Sequence, residues 1–161
     1  MAKSSKSKAD ERSADDLRAD LEAIGFGEAS EGEMCFESPA GYELRVTLDA
    51  HKWKKSKINF GSDIKVHHRS TSTFSQKETL VVLACVVQLL ERGYAPEHIE
   101  LEKTWSVGHG NSGRLDVFLR APDGSAFAMI ECKTPGAEYA KERNKMLLDG
   151  GQLFTYFQQE K

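Results

Sequence analysis

Ser112-Gly113-Arg114-Leu115-Asp116-Val117-Phe118-Leu119, followed by Met129-Ile130-Glu131-Cys132-Lys133, decides the fold of this chain. The first run is an apolar strand with a carboxylate inside it. The second ends another apolar strand with a carboxylate, one intervening residue and a lysine. Between them, Ala121-Pro122-Asp123-Gly124-Ser125 has the composition of a turn joining neighbouring strands. A hairpin at this point brings Asp116 close to Glu131. Period two then puts Glu131 and Lys133 on one face and Cys132 on the other. Two carboxylates and an ammonium converging in apolar surroundings are costly unless a divalent cation joins them. Metal-dependent phosphodiester hydrolysis needs a group of this kind.

Working outward, Ser75 reads as the N-cap of a long helix, with Glu78 as its capping-box partner. Leu80, Val81, Leu83, Ala84, Val87 and Leu90 make that helix apolar on nearly every side, which predicts a central, buried element ending at Gly93. Residues 99–107 alternate well enough to read as a strand. Gly108-His109-Gly110-Asn111-Ser112-Gly113 is a glycine-rich loop. After the second carboxylate strand, Pro135-Gly136 is a stop. A helical segment runs from about Ala137, with a break at Gly150-Gly151. Towards the N-terminus, residues 1–12 read as a disordered Lys/Ser-rich tail. Ser13-Ala14-Asp15-Asp16 starts a short helix bearing Leu17, Leu21, Ile24 and Phe26 and ending near Gly25 or Gly27. Residues 34–37 and 42–48 flank Ser38-Pro39-Ala40-Gly41 as a β-hairpin. Residues 58–60 and 64–66 form either a second hairpin or an irregular connection.

The order Asp…Glu-x-Lys on adjacent strands resembles the signature of the PD-(D/E)XK nuclease superfamily, with Leu115 where many members have proline before the aspartate. Two further motifs strengthen the likeness: Lys77-Glu78-Thr79-Leu80 opening the apolar helix, and Gln152-Leu153-Phe154-Thr155-Tyr156, similar to the Gln-x-x-x-Tyr motif of type I restriction subunits and RecB-like nucleases. The likeness covers residues 74–161 and is strongest to the N-terminal nuclease domain of type I-like restriction–modification enzymes. It implies an α/β fold: a restriction-endonuclease-like core, a mixed sheet flanked by helices, over 74–161. A small α+β extension occupies 13–73. The superfamily core has one more strand after the last helix, so the expectation is that the chain is the N-terminal part of a longer polypeptide. The resemblance also implies Asp116, Glu131 and the backbone carbonyl of Cys132 as ligands of Mg²⁺, with Mn²⁺ as a substitute. Lys133, Glu78, Gln152 and Tyr156 complete the expected catalytic set. The expected substrate is double-stranded DNA. Fused or associated methyltransferase, translocase or specificity domains are the expected partners, because nothing in this chain reads a base sequence.

Each site residue also has a plainer reading. Asp116 could pair with Arg114 or Arg120. Glu78 could be a capping carboxylate only, or could also contact the metal. Gln152 and Tyr156, four apart, could be the polar edge of an amphipathic helix, or could hold a phosphate or support Lys133. Lys133 would serve as a base only if its pKa were depressed. His109 reads as a loop histidine, and adjacent His67 and His68 do not suggest a metal site. The basic run 52–57, with Trp53 inside it, is either solvated surface or a phosphate-contacting patch.

Composition sets limits. At 161 residues, with 39% hydrophobic residues, the chain can bury a real core. The net charge of −3 is unusual for a DNA-binding protein and argues for weak binding by this domain alone. No stretch is long and apolar enough to suggest a membrane span. Cys35, Cys85 and Cys132, with no CxxC pair, read as reduced thiols in a cytoplasmic protein. The alternative function carried by the sequence is a catalytically inactive DNA-binding or docking module of a multisubunit restriction complex.

Overall fold

A computed structural model describes residues 12–106, 112–150, 153, 156–158 and 160. The first helix, α1 (Ala14–Ala23), begins as the sequence predicts. Ser13 Oγ accepts the Asp16 N–H, and the Asp16 carboxylate accepts the Ser13 N–H, forming a reciprocal cap. The next four strands, β1 (Gly27–Ser30), β2 (Glu33–Glu37), β3 (Glu43–Thr47) and β4 (Lys57–Asn59), form an antiparallel sheet in chain order. The predicted β2–β3 hairpin is present. Its register sets Met34 opposite Val46 and Phe36 opposite Leu44, so one face is continuous and buried.

Residues 58–66 do not form a second hairpin. Lys57–Asn59 stays in the first sheet. β5 (Lys65–Val66) crosses to the second, where it lies parallel to β6 (Ile99–Ser106). β7 (Ser112–Arg120) and β8 (Ala126–Ile130) complete that sheet in the order β5-β6-β7-β8. The turn that joins β7 to β8 works as its composition suggests. Asp123 Oδ1 accepts from the Ser125 N–H and hydroxyl, and Gly124 takes φ +85°.

The central helix is α2 (Thr79–Glu91), and it starts later than expected. Ser75 is not its cap. The Ser75 hydroxyl bonds Thr73 Oγ1 instead, and the N-cap position falls on Glu78, whose side chain makes no capping bond. The first helical hydrogen bond runs from Val82 N to Glu78 O. The Glu78 carboxylate is therefore not used in capping. At the other end Gly93 takes φ +84° and stops the helix as predicted. The last long helix, α3 (Ala137–Asp149), ends at left-handed Gly150, and residues 156–158 are again helical.

One hydrophobic cluster runs through Leu17 and Leu21 of α1, Met34, Phe36, Leu44 and Val46 of the first sheet, Val82 to Leu90 of α2, and Ile99, Leu101, Val117 and Leu119 of the second sheet. The expected boundary at residue 73 therefore does not separate two cores, and β5 from the expected extension belongs to the second sheet. The reason is α2, whose apolar residues cover nearly its whole circumference and need cover on more than one side. Among the described residues no helix is long and apolar enough to cross a membrane.

A shared core implies shared unfolding. Leu44→Ala in the first sheet and Leu83→Ala in α2 should each cost about 2–5 kcal/mol. Each should shift one cooperative transition, read by circular dichroism and by Trp fluorescence together. Two separated transitions, with Leu44→Ala moving only one of them, would refute the shared core.

Candidate active site

Asp116 sits in β7 with Leu115 and Val117 fully buried on either side of it. Its Oδ2 accepts the backbone N–H of Cys132 at 2.6 Å. This bond holds β7 to the segment just beyond the end of β8, so that Glu131 and Lys133 arrive beside Asp116. Lys133 Nζ pairs with Glu131 Oε1, which places the two on one side as period two requires. Cys132 points the other way, into the main core. Asp116 does not pair with either neighbouring arginine. Arg120 binds Glu100, and Arg114 binds Glu102.

The electrostatics of this group are those of carboxylates drawn out of water beside one another. The Glu131 side chain is 13% exposed, and its Oε2 is buried with no hydrogen-bond partner. Burial first, and the charge of Asp116 second, push the Glu131 carboxyl up to about 7. Burial likewise raises Asp116, against the lowering effect of the Cys132 N–H and of Lys133. Lys133 is raised as well. Desolvation works to lower it, but Glu131, Asp116 and Glu78 together outweigh that effect. Lys133 thus keeps its proton at neutral pH, which removes the general-base reading for the metal-free protein. Glu78, at the start of α2, is close enough to act on Lys133 through its charge.

Glu131 Oε2 is the orphaned acceptor expected where an oxygen-loving cation would sit. Asp116, Glu131 and the Cys132 carbonyl supply oxygen donors only, which suits Mg²⁺ or Mn²⁺. Among the described residues no three His, Cys, Asp or Glu side chains form a ready-made cage. Such a site would leave several positions to water or substrate, the habit of Mg²⁺ rather than of structural zinc. A cleft of about 230 Å³ opens against Glu131 and Lys133, with Tyr139, Arg143, Met146 and Leu153 on its other wall.

Tyr156 takes a different place from the one expected. It is 1% exposed and stacks on Trp105 with ring centroids 5.2 Å apart. Its hydroxyl donates to Arg114 O at 2.9 Å and accepts from Arg114 N at 3.0 Å. It thus fixes the backbone two residues before Asp116. Gln152 and His109 lie outside the described residues. Lys52, Lys54, Lys55 and Lys57 are exposed, while Arg12 and Lys54 lie over the Trp53 ring.

Two residues that the sequence reading did not select belong to this neighbourhood. Glu102 lies between Leu101 and Lys103, whose partners Val117 and Leu115 flank Asp116 on β7; it is 3% exposed and raises Asp116 through its charge. Arg114 pairs with it and pulls Asp116 the other way. The alternation Ile99-Glu100-Leu101-Glu102 reads as a strand with one wet face, which hides both glutamates. The only local sign is that neither faces water once Arg120 and Arg114 are in place.

Compared with family models, with curated proteins and with solved structures, the chain finds no match.

The raised Glu131 gives a pH signature in metal-free protein. A carboxyl whose folded pKa is about 7 against an ordinary 4.5 holds its proton better in the native state. Its stabilising contribution is complete below about pH 4.5 and is lost as pH rises through 7. The lowered carboxylates Asp16, Glu100, Glu142 and Glu160 titrate below this window. In EDTA the thermal midpoint should therefore fall between pH 5 and pH 8. Glu131→Gln should flatten that slope, and Mg²⁺ should restore stability at pH 8 in the parent protein only. An unchanged slope in the Gln variant would show that Glu131 does not titrate there.

Proposed function

We propose that this chain is a divalent-metal-dependent deoxyribonuclease domain that hydrolyses phosphodiester bonds of double-stranded DNA within a larger restriction–modification protein. The carrying observation is the orphaned Glu131 oxygen, in a pair of half-buried carboxylates of which Asp116 accepts the Cys132 N–H and Glu131 pairs with a protonated lysine. This arrangement repels a phosphate while the carboxylates are ionised and uncompensated. With a cation it attracts one. The PD-(D/E)XK resemblance, carried by the same three residues, points to the same chemistry.

Asp116, Glu131 and the Cys132 carbonyl would hold Mg²⁺ or Mn²⁺. Such an ion, when bound, polarises a phosphoryl oxygen and lowers the pKa of coordinated water. The residues themselves do the rest. The Cys132 N–H fixes one Asp116 oxygen, so the carboxylate presents the other in a set direction. Lys133, protonated, orients the attacking water or offsets charge growing on the phosphoryl oxygens. Glu78 helps keep that ammonium charged. Tyr156 holds the strand that carries Asp116.

Substrate affinity is the weak point of the isolated chain, whose net charge is −3. The exposed lysines of residues 52–57 are its best phosphate-contacting surface. Methyltransferase, translocase or specificity domains would supply target recognition and most of the binding. The free state of Cys35, Cys85 and Cys132 agrees with work in the cytoplasm.

The test is DNA cleavage in Mg²⁺ by the full-length protein. Asp116→Ala and Glu131→Ala should abolish cleavage while remaining folded. Lys133→Ala and Lys133→Arg should lower the chemical step on the order of 10²–10³-fold and still bind metal, since an ammonium is not a ligand. Undiminished cleavage by either carboxylate variant would refute the assignment. Metal binding without any cleavage by the parent protein would favour an inactive docking module.

A further inference from the structure

We propose that Arg114 is a second cationic group of this site, contacting the scissile phosphate, and that Glu102 is the positioning residue that aims it; the proposal rests on the nuclease reading above. Glu102 is the starting point. A carboxylate whose side chain is 4% exposed needs a strong reason to be there. Its backbone is left-handed, with φ 56°, the only described non-glycine residue in that region. Such strain persists only where the surroundings enforce it, and it gathers at functional positions.

What Glu102 holds is the Arg114 guanidinium. Nε lies 2.5 Å from Glu102 Oε2, yet that oxygen has no aligned hydrogen bond, so the contact is charge pairing without full satisfaction. Among the described residues no other group bonds the Arg114 side chain, which is 38% exposed. Nη1 and Nη2 are left as a fork, the geometry that matches two phosphate oxygens. The base of the arm is equally constrained, because the Tyr156 hydroxyl engages both the N–H and the C=O of Arg114. Arg114 precedes Asp116 by two residues in β7, and Glu102 lies between Leu101 and Lys103, which pair with the two neighbours of Asp116. Both act on the Asp116 charge. With the guanidinium against it, Glu102 is not counted among the metal ligands. Its task is to cancel part of the Arg114 charge and fix its direction.

A purely structural brace would behave differently. Its loss would lower stability and leave the chemistry of folded protein intact. The experiment is steady-state DNA cleavage in Mg²⁺ by the full-length protein, with thermal unfolding and Mg²⁺ binding measured alongside. Arg114→Ala should lose on the order of 10²-fold in kcat with little change in KM, the pattern of an interaction made in the transition state. Free guanidinium at low millimolar concentration should partly restore Arg114→Ala and should not restore Asp116→Ala. Glu102→Gln, which keeps the size and removes the charge, should also lower kcat more than KM while metal binding is retained. If Arg114→Ala fails to fold because Glu102 is left uncompensated, the double variant Glu102→Gln/Arg114→Ala takes its place in the rescue assay. Parental kcat in folded Arg114→Ala, or folded protein that guanidinium does not rescue, overturns the proposal. Loss of cleavage in Asp116→Ala alongside full activity in Arg114→Ala removes Arg114 and leaves the nuclease reading standing. A parent protein that binds Mg²⁺ or Mn²⁺ and leaves DNA intact overturns both.

Discussion

The backbone N–H of Cys132 meets the carboxylate of Asp116 at 2.6 Å where the β7–β8 pairing gives out. A ladder bond would ordinarily go to a backbone carbonyl. Here a side chain takes it, and the two chain segments are free to part. That exchange gives the site its shape. Glu131 and Lys133 lie past the last paired residue, Ile130, so they are released from the sheet and still tethered to it. Buried carboxylates normally find donors. Asp116 finds one, while Glu131 pairs with Lys133 through one oxygen and keeps the other without a donor.

The second sheet is built to make room for that point. At one end of β6 and β7, Ile99, Leu101, Val117 and Leu119 pack into the main core against α2. At the other end Leu115 belongs to a separate cluster with Phe118 and Tyr156, against which Trp105 packs. Odd-numbered residues thus change sides between 101 and 105 on one strand and between 117 and 115 on its neighbour. A regular strand cannot do this, because its side chains alternate strictly. Left-handed Glu102, unpaired between the Leu101–Val117 and Lys103–Leu115 pairs, lies at the reversal. Lys103 follows the apolar residues and lies 3.7 Å above the Phe118 ring.

Much of this is legible in the sequence where local chemistry decides. Asp123, Gly124 and the carboxylate spacing specify the hairpin, and Ser13 with Asp16 specifies the first helix start. The juxtaposition of Asp116, Glu131 and Lys133 follows from those local rules. Distant partners decide the rest. Glu100 and Glu102 look like wet positions because the residues that bury them, His67, Arg114 and Arg120, come from other strands or segments. Ser75 has every mark of a cap, but residues 76–78 turn before the helix begins, and no periodicity reveals that. Residues 64–66 carry the pattern of a hairpin arm, and only the parallel partner β6 shows that they leave the first sheet. The role of Tyr156 was hidden in the same way: the spacing from Gln152 suggests a shared helix face, while the hydroxyl answers to a backbone forty-two residues earlier.

That hydroxyl also constrains how the chain can vary. A side chain at Gly113 would run into the Tyr156 ring, and the same ring covers Trp105 while its oxygen serves both amide groups of Arg114. A larger residue at 113 therefore requires a smaller one at 156, and a smaller one at 156 strands two polar groups and uncovers an indole. Neither position can drift alone. Glycine and tyrosine, forty-three residues apart in the chain, are thus coupled: a change at either must be answered at the other if the strand that carries Asp116 is to keep its place.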